Sequence, residues 1–151
     1  MKVKEIMTRE VTSLSPELTV QEALGLLAKM EISGLPVIDL NGKLVGMFTE
    51  KEALEYILPS YISKVGRFIY EENPKSIKNK FSEMNKMKVS ELMRKDVITT
   101  LEETTLCEVA RIMLTQRSRR LPVLDKTGSV VGIVARSDIL AALASEAETA
   151  K

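Results

Sequence analysis

The sequence predicts a mixed α/β (α+β) fold built from two copies of one β-α-β-β-α unit. Three observations carry this. Val3–Leu54 aligns with Val89–Leu140 without a gap, each residue finding its counterpart 86 positions further on, and about 15 of the 52 paired positions are identical. Both copies hold a Thr-x-x-Glu sequence followed by apolar residues at helical spacing. Both then hold Leu-Pro-Val and Val-Gly segments on either side of a short turn containing glycine.

Each copy starts with a short helical piece, Val3–Met7 or Val89–Met93, and an extended segment, Val11–Leu14 or Val97–Leu101. Thr19-x-x-Glu22 and Thr105-x-x-Glu108 read as capping boxes, hydroxyl and carboxylate both meeting free amides of a helix's first turn. Behind them Val20, Ala23, Leu24 and Leu27, and again Leu106, Val109, Ala110 and Met113, fall at i, i+3, i+4 and i+7, one apolar helix face. The strands Leu35–Asp39 and Lys43–Phe48 flank Asn41-Gly42, a hairpin signal in which both turn residues tolerate positive φ. Leu121–Asp125 and Val130–Val134 flank Thr127-Gly128. A last helix begins near Thr49 or Ala135 and runs through Leu54 or Leu143. A three-stranded sheet with helices on one side leaves its other side needing a partner, so the copies are expected to pack against each other.

The expected organisation is a first repeat over 1–54, a helical insertion over 55–88, a second repeat over 89–144 and a tail over 145–151. The insertion carries Tyr56, Tyr61, Phe68 and Tyr70 among other apolar residues, then a polar stretch, Glu71–Lys88; Pro59 and Pro74 break it into pieces. It reads either as a helical layer packed on the sheets or as a surface for a dimer or another partner.

Composition narrows the function. A net charge of +1 gives no global field for nucleic acid or membrane, and no apolar run reaches about 18 residues, so no membrane span is expected. A single cysteine, Cys107, fits a reducing, cytoplasmic setting. Histidine is absent, which removes the usual metal ligand and the usual general base. No metal site, Walker loop or nucleophile elbow is read, so the chain is not expected to be an enzyme.

Ile6-Met7-Thr8, the Thr-x-x-Glu helix starts, the Leu-Pro-Val strands, Asn41-Gly42-Lys43-Leu44-Val45-Gly46 and Ser137-Asp138-Ile139-Leu140 together resemble cystathionine-β-synthase (CBS) domains, whose tandem pair is called a Bateman module. The resemblance covers the chain apart from the insertion. It implies two repeats packed with pseudo-twofold symmetry and clefts between them. In this family such clefts often hold AMP, ADP, ATP or S-adenosylmethionine. It also implies a homodimer that passes ligand state to a separate, unidentified effector protein.

The resemblance assigns roles residue by residue. In Gly132-Ile133-Val134-Ala135-Arg136-Ser137-Asp138, Asp138 matches the ribose-binding aspartate and Ser137 a phosphate-binding hydroxyl, while Ala135 replaces a family hydroxyl. The other reading is that Ser137 and Asp138 only favour the helix's first turn. Arg119 and Arg120 stand before a strand start that faces the cleft in similar proteins, and suit phosphate through paired hydrogen bonds. Val11, Thr12, Ile32 and Pro36 are the expected base slot of this cleft, with Thr8 and Ser33 beside them. A weaker second cleft is expected from Thr49, Glu52, Val97, Ile98, Ser118 and Pro122. There Glu52 replaces the aspartate, and Thr49-x-x-Glu52 is also a complete capping box. The alternatives are a ligand-free interaction or dimerisation module and, more remotely, nucleic-acid binding through the arginines, which few aromatics support.

Overall fold

The computed structural model describes residues 1–58 and 74–149; Pro59, Tyr61, Phe68 and Tyr70 of the insertion lie outside them. The chain divides into two compact units, which cross the sequence repeats. The N unit comprises Ser13–Leu40 and Val45–Asp96; the C unit comprises Met1–Thr12, Asn41–Leu44 and Val97–Lys151.

In the N unit, α1 (Val20–Met30) is followed by β1 (Gly34–Ile38), β2 (Leu44–Thr49), α2 (Glu50–Ile57), α3 (Pro74–Lys86) and the one-turn α4 (Val89–Leu92). β1 and β2 pair. The predicted strand before α1 is reduced to one parallel bridge, Leu14 to Val37, with Leu14 N–H donating to the Pro36 carbonyl at 2.9 Å. In the C unit a 3-10 turn (Val3–Glu5) precedes β3 (Thr100–Leu101), α5 (Leu106–Gln116), β4 (Arg120–Leu124), β5 (Val130–Ala135) and α6 (Arg136–Thr149). The sheet order is β3-β4-β5, parallel then antiparallel, with Thr100 opposite Val123 and Pro122 opposite Ile133. Mixed helix and strand in two copies is thus the observed fold. The leading strands are two residues or one, shorter than the four or five expected.

The cores follow the predicted helix faces. Val20, Ala23 and Leu27 are buried with Val37, Phe48 and Met84 in the N unit. Leu106, Val109 and Met113 are buried with Leu121, Val123 and Val134 in the C unit. Met84 comes from α3, which packs on α1 and α2. The described part of the insertion therefore packs on helices, and Met84 joins the core that the strand residues Val37 and Phe48 also enter.

Two local expectations need correction. At the hairpins only the glycines take positive φ, +79° at Gly42 and +84° at Gly128. The second turn shows why. Asp125 Oδ1 accepts from the amides of Thr127 at 2.8 Å and Ser129 at 3.0 Å, so an aspartate-centred turn forms and one left-handed residue closes it. The Thr127 hydroxyl and these amides hold the Asp125 carboxyl below its ordinary value.

The helix caps also differ. Thr19 and Thr105 accept from the Glu22 and Glu108 amides as expected, at 3.1 and 3.3 Å. The glutamates do not return the bond. Glu22 accepts from the Thr19 hydroxyl and Glu108 pairs with Arg111. An incoming segment supplies part of the missing capping: the Val20 amide donates to the Met87 carbonyl at 2.8 Å, and the Leu106 amide to the Met1 carbonyl at 3.0 Å.

Those incoming segments organise both units. In the C unit residues 1–12 lie with the second repeat: Val3 and Met7 enter its core, and bridges form from Lys2 to Thr105 and from Thr8 to Ile133. In the N unit residues 88–94 make the same contacts with the first repeat. Val89 is buried there, Lys88 bridges Thr19 and Arg94 bridges Met47. Each lead-in presses a methionine onto a glycine. A Cβ on Gly132 would stand 2.6 Å from Met7 Sδ, and one on Gly46 2.7 Å from Met93 Sδ, so neither position has room for a side chain.

Candidate functional site

The C unit brings Thr8, Ile133, Arg119, Arg120, Ser137 and Asp138 to the junction between β5 and α6, while Ile32, Ser33 and Pro36 belong to the N unit. Ile133 exchanges two backbone hydrogen bonds with Thr8, at 2.8 and 2.9 Å, so the lead-in carrying Thr8, Val11 and Thr12 extends the sheet at its β5 edge. Thr8 and Thr12 are exposed and Val11 is half-buried. On the other side of β5, Arg120 stands opposite Ala135 in the β4–β5 register. The Arg136 amide, at the start of α6, donates to the Arg119 carbonyl at 3.1 Å. One short stretch therefore ties together a threonine-bearing lead-in, the start of a helix and a pair of arginines.

Asp138 is the third residue of α6 and half-buried; its Oδ2 accepts from the Ala135 amide at 2.8 Å. Asp138 thus caps the first turn of its helix, a stronger bond than the first-turn preference expected of it, yet it engages one oxygen only. Oδ1 has no protein partner among the described residues. Ser137 is exposed. Arg119 and Arg120 are exposed, and neither makes an ion pair or side-chain hydrogen bond among the described residues. The start of a 14-residue helix, a carboxylate oxygen without a partner and two guanidiniums without an ion pair among the described residues suit an anion carrying hydroxyls. Val97, Ile98, Ser118 and Pro122 also belong to this unit. Pro122 is buried in β4, the other three are half-buried, and Ile98 packs against the core.

The N unit repeats the junction with different chemistry. The Glu50 amide donates to the Ser33 carbonyl at 2.8 Å, as Arg136 does to Arg119. The capping box is complete here. Glu52 Oε2 accepts from the Thr49 amide at 2.8 Å and from the Thr49 hydroxyl, and Glu52 is only 8% exposed. Ile32 is half-buried against the core, Ser33 is exposed and Pro36 is buried in β1. A groove of about 720 Å³ opens beside the junction, lined by Ser33, Thr49, Glu50, Lys51, Leu54, Glu55 and Leu58. Sequence reasoning named two of these seven. It also passed over Arg94, which holds in the N unit the place that Thr8 holds in the C unit; the constant repeat offset was the signal that pointed to it.

Among the described residues no cluster of three or more His, Cys, Asp or Glu is placed to hold a metal ion. No described helix is long and apolar enough to cross a membrane.

A family model for the CBS domain matches residues 3–59 and again residues 89–145. The chain belongs to the CBS-domain family. This CBS pair is 32% identical over 148 residues to the chloroplastic CBS domain-containing protein CBSX1 of Arabidopsis thaliana, covering 93% of the chain and 63% of that protein. It is 31% identical over 158 residues to the uncharacterized protein MJ1426 of Methanocaldococcus jannaschii, covering 95% and 91%. Relatives thus include proteins little longer than this chain and others of which it spans less than two thirds. Among solved structures, CBSX2 in complex with AMP superposes with a TM-score of 0.72 at 27% identity, covering 95% of this chain and 96% of that one. The CBS domain pair of MJ0100, in complex with 5′-methylthioadenosine and S-adenosyl-L-methionine, gives 0.65 at 27%, covering 97% and 98%.

Proposed function

We propose that this CBS pair is a regulatory, non-catalytic module that binds an adenine nucleotide at the β5–α6 junction of its C unit. AMP, ADP, ATP and S-adenosylmethionine are the candidate ligands. In this reading Asp138 Oδ1 accepts from a ribose hydroxyl. Ser137 and the arginines Arg119 and Arg120 receive phosphate. Thr8, Val11, Thr12 and Ile133 border the base. The module acts as a cytoplasmic homodimer and reports occupancy to a separate effector protein. Relatives solved with AMP and with S-adenosyl-L-methionine support the ligand class. The observation that carries the reading is the occurrence at one junction of a half-engaged Asp138 and two arginines that have no acidic partner among the described residues. The N-unit junction, with Thr49 and Glu52 bonded to each other, is proposed as the weaker site.

Calorimetry with the four ligands on wild type, Asp138→Ala and Asp138→Asn tests this. Asparagine keeps an acceptor for the Ala135 amide and removes the charge. Exchanging a charge-assisted hydrogen bond for a neutral one costs about 1–1.5 kcal/mol, so Asp138→Asn should weaken binding about tenfold with its melting temperature nearly unchanged. Asp138→Ala should lose more affinity and also about 1 kcal/mol of stability with the cap. Wild-type affinity in Asp138→Asn would refute the site. The competing reading is a ligand-free interaction module, favoured by the alanine at position 135 and by the capping bond that Asp138 already makes. It predicts no heat from any of the four.

A further inference from the structure

Resting on the nucleotide reading above, we infer that the C-unit site selects its ligand by phosphate number, taking nucleoside triphosphate over monophosphate, and that Arg117 is the residue that extends the selection.

The second repeat carries Arg111, Arg117, Arg119, Arg120 and Arg136 where the first has Gly25, Glu31, Ser33, Gly34 and Glu50. Two of the five are occupied. Arg111 is held by Glu108, with Nε at 3.0 Å from Oε2, and this pair holds the Glu108 carboxyl below its ordinary value. The Arg136 guanidinium donates to the Met113 carbonyl in the last turn of α5 at 3.5 Å, where the carbonyl end of the helix dipole favours a cation. Arg117, Arg119 and Arg120 remain. All three are exposed, and none has an ion pair or side-chain hydrogen bond among the described residues. They fall within four consecutive residues, and the Arg119 carbonyl fastens that segment to the first residue of α6 at 3.1 Å.

The backbone holds the outermost of them at some cost. Arg117 has φ +55° and ψ 35°, the left-handed region that glycine adopts freely. The Ser118 amide donates to the Met113 carbonyl at 3.0 Å and fixes the turn. This left-handed residue sits between α5 and β4, so Arg117 starts the basic segment that Arg119 and Arg120 end. Three unpaired guanidiniums carry about three positive charges, more than the charge of about −1.5 to −2 on one phosphate monoester. A monophosphate leaves part of that charge unmatched. Each added phosphate brings new acceptors and a further negative charge to guanidiniums that have no other partner among the described residues. The matching residues of the N unit, Glu31, Ser33 and Gly34, have no cation to offer a phosphate chain.

The test is calorimetry in magnesium-free buffer at fixed ionic strength, titrating AMP, ADP, ATP and inorganic tripolyphosphate into wild type, Arg117→Gln and Arg117→Lys. Affinity should rise about tenfold for each added phosphate, the size of one charge-assisted hydrogen bond, and the rise should shrink as salt increases. Arg117→Gln should narrow the ATP-to-AMP ratio several-fold, and Arg117→Lys should recover most of it. Lysine keeps the charge and meets the same left-handed strain, so recovery separates charge from backbone effects. Equal or tighter binding of AMP than ATP in wild type overturns the selection and leaves the nucleotide reading standing. An unchanged ratio in Arg117→Gln removes Arg117 from it. Tripolyphosphate binding as tightly as ATP overturns the inference, since a bare basic patch then suffices. Absence of binding by all three nucleotides instead overturns the reading on which the inference rests.

Discussion

Replacing Gly132 by alanine strikes the contact that seats the lead-in at the proposed C-unit site. The new Cβ would stand 2.6 Å from Met7 Sδ, 2.9 Å from Met7 Cγ and 3.0 Å from the Thr8 carbonyl oxygen. The methionine side chain has several rotatable bonds and can withdraw, but doing so takes it out of a core position where it is 8% exposed. The carbonyl belongs to a backbone pinned to Ile133 by two hydrogen bonds and must shift by a few tenths of an ångström. Overpacking of this kind costs about 1–3 kcal/mol. The loss should be local first, because the lead-in can detach while β3–β5 stay paired. Hydrogen exchange therefore gives the sharper readout. The Thr8 and Ile133 amides, which face each other across the bridge, should exchange about 5- to 150-fold faster, while the Val123 and Val134 amides change less. Urea unfolding should show the same loss in the midpoint. Nucleotide affinity should fall with it, since Thr8, Val11 and Thr12 are carried by this segment. If Gly132→Ala matches wild type in both stability and protection of these two amides, the close approach is not what seats the lead-in, and the C-unit site is not assembled through this contact.

Gly25→Ala supplies the opposite sign. Gly25 lies in mid-α1 with nothing within 4 Å of its would-be Cβ, so the substitution should stabilise by about 0.5–1 kcal/mol, read by thermal unfolding. Thr100→Val should also stabilise, by about 1 kcal/mol. The Thr100 hydroxyl has no partner in a site only 4% exposed, and the matching position in the first repeat is Leu14. A lower urea midpoint for Thr100→Val would mean that the hydroxyl is satisfied by solvent. Acid should loosen the N-terminal segment. Lys2 and Lys4 donate to Glu103 at 2.6 and 2.7 Å and draw its carboxyl from 4.5 down to about 2. A depressed carboxylate contributes fully above its unfolded value, and that contribution drains away as pH falls from about 4.5 toward 2. NMR titration of Glu103 should give a midpoint in the low range, and Glu103→Gln should remove this part of the acid response.

How much of the structure is legible in the sequence depends on the range of the interaction that decides each feature. The helices α1 and α5 follow from apolar spacing over eleven residues, and the hairpins from a glycine within a four-residue turn; all of that information is local. The capping glutamates depart from the pattern because a second donor settles each case. Glu108 prefers the Arg111 guanidinium three residues on, and the first amides of α1 and α5 reach carbonyls of Met87 and Met1, far away in sequence. The same non-local pairing makes the leading strands short, since one or two bridged residues suffice once the lead-ins hold the helix starts. At the site, the Gly-to-Asp stretch is visible as a motif, but which oxygen of Asp138 stays unengaged depends on a single 2.8 Å contact that no pattern encodes.

Comparing the two copies separates architecture from chemistry. Several positions that remained identical make contacts that recur in both units. Met7 and Met93 meet Gly132 and Gly46; Thr19 and Thr105 cap α1 and α5; Val37 and Val123 receive the leading strand. Positions that diverged surround the two junctions: Ser33 against Arg119, Gly34 against Arg120, Thr49 against Ala135, Glu50 against Arg136 and Glu52 against Asp138. None of these pairs is needed for the backbone bonds at the junction. The amide-to-carbonyl contact from the helix start forms equally well as Glu50 to Ser33 and as Arg136 to Arg119. The junction backbone accommodates both sets, with one coupling: a Cβ on Gly34 would stand 2.5 Å from Thr49 Cγ2, so glycine accompanies threonine in one unit as Arg120 accompanies Ala135 in the other. A carboxylate closed on its own threonine in one unit, and in the other a carboxylate bonded through one oxygen, near in sequence to the first residue of a helix that Arg119 fastens, offer two different chemistries on one repeated scaffold.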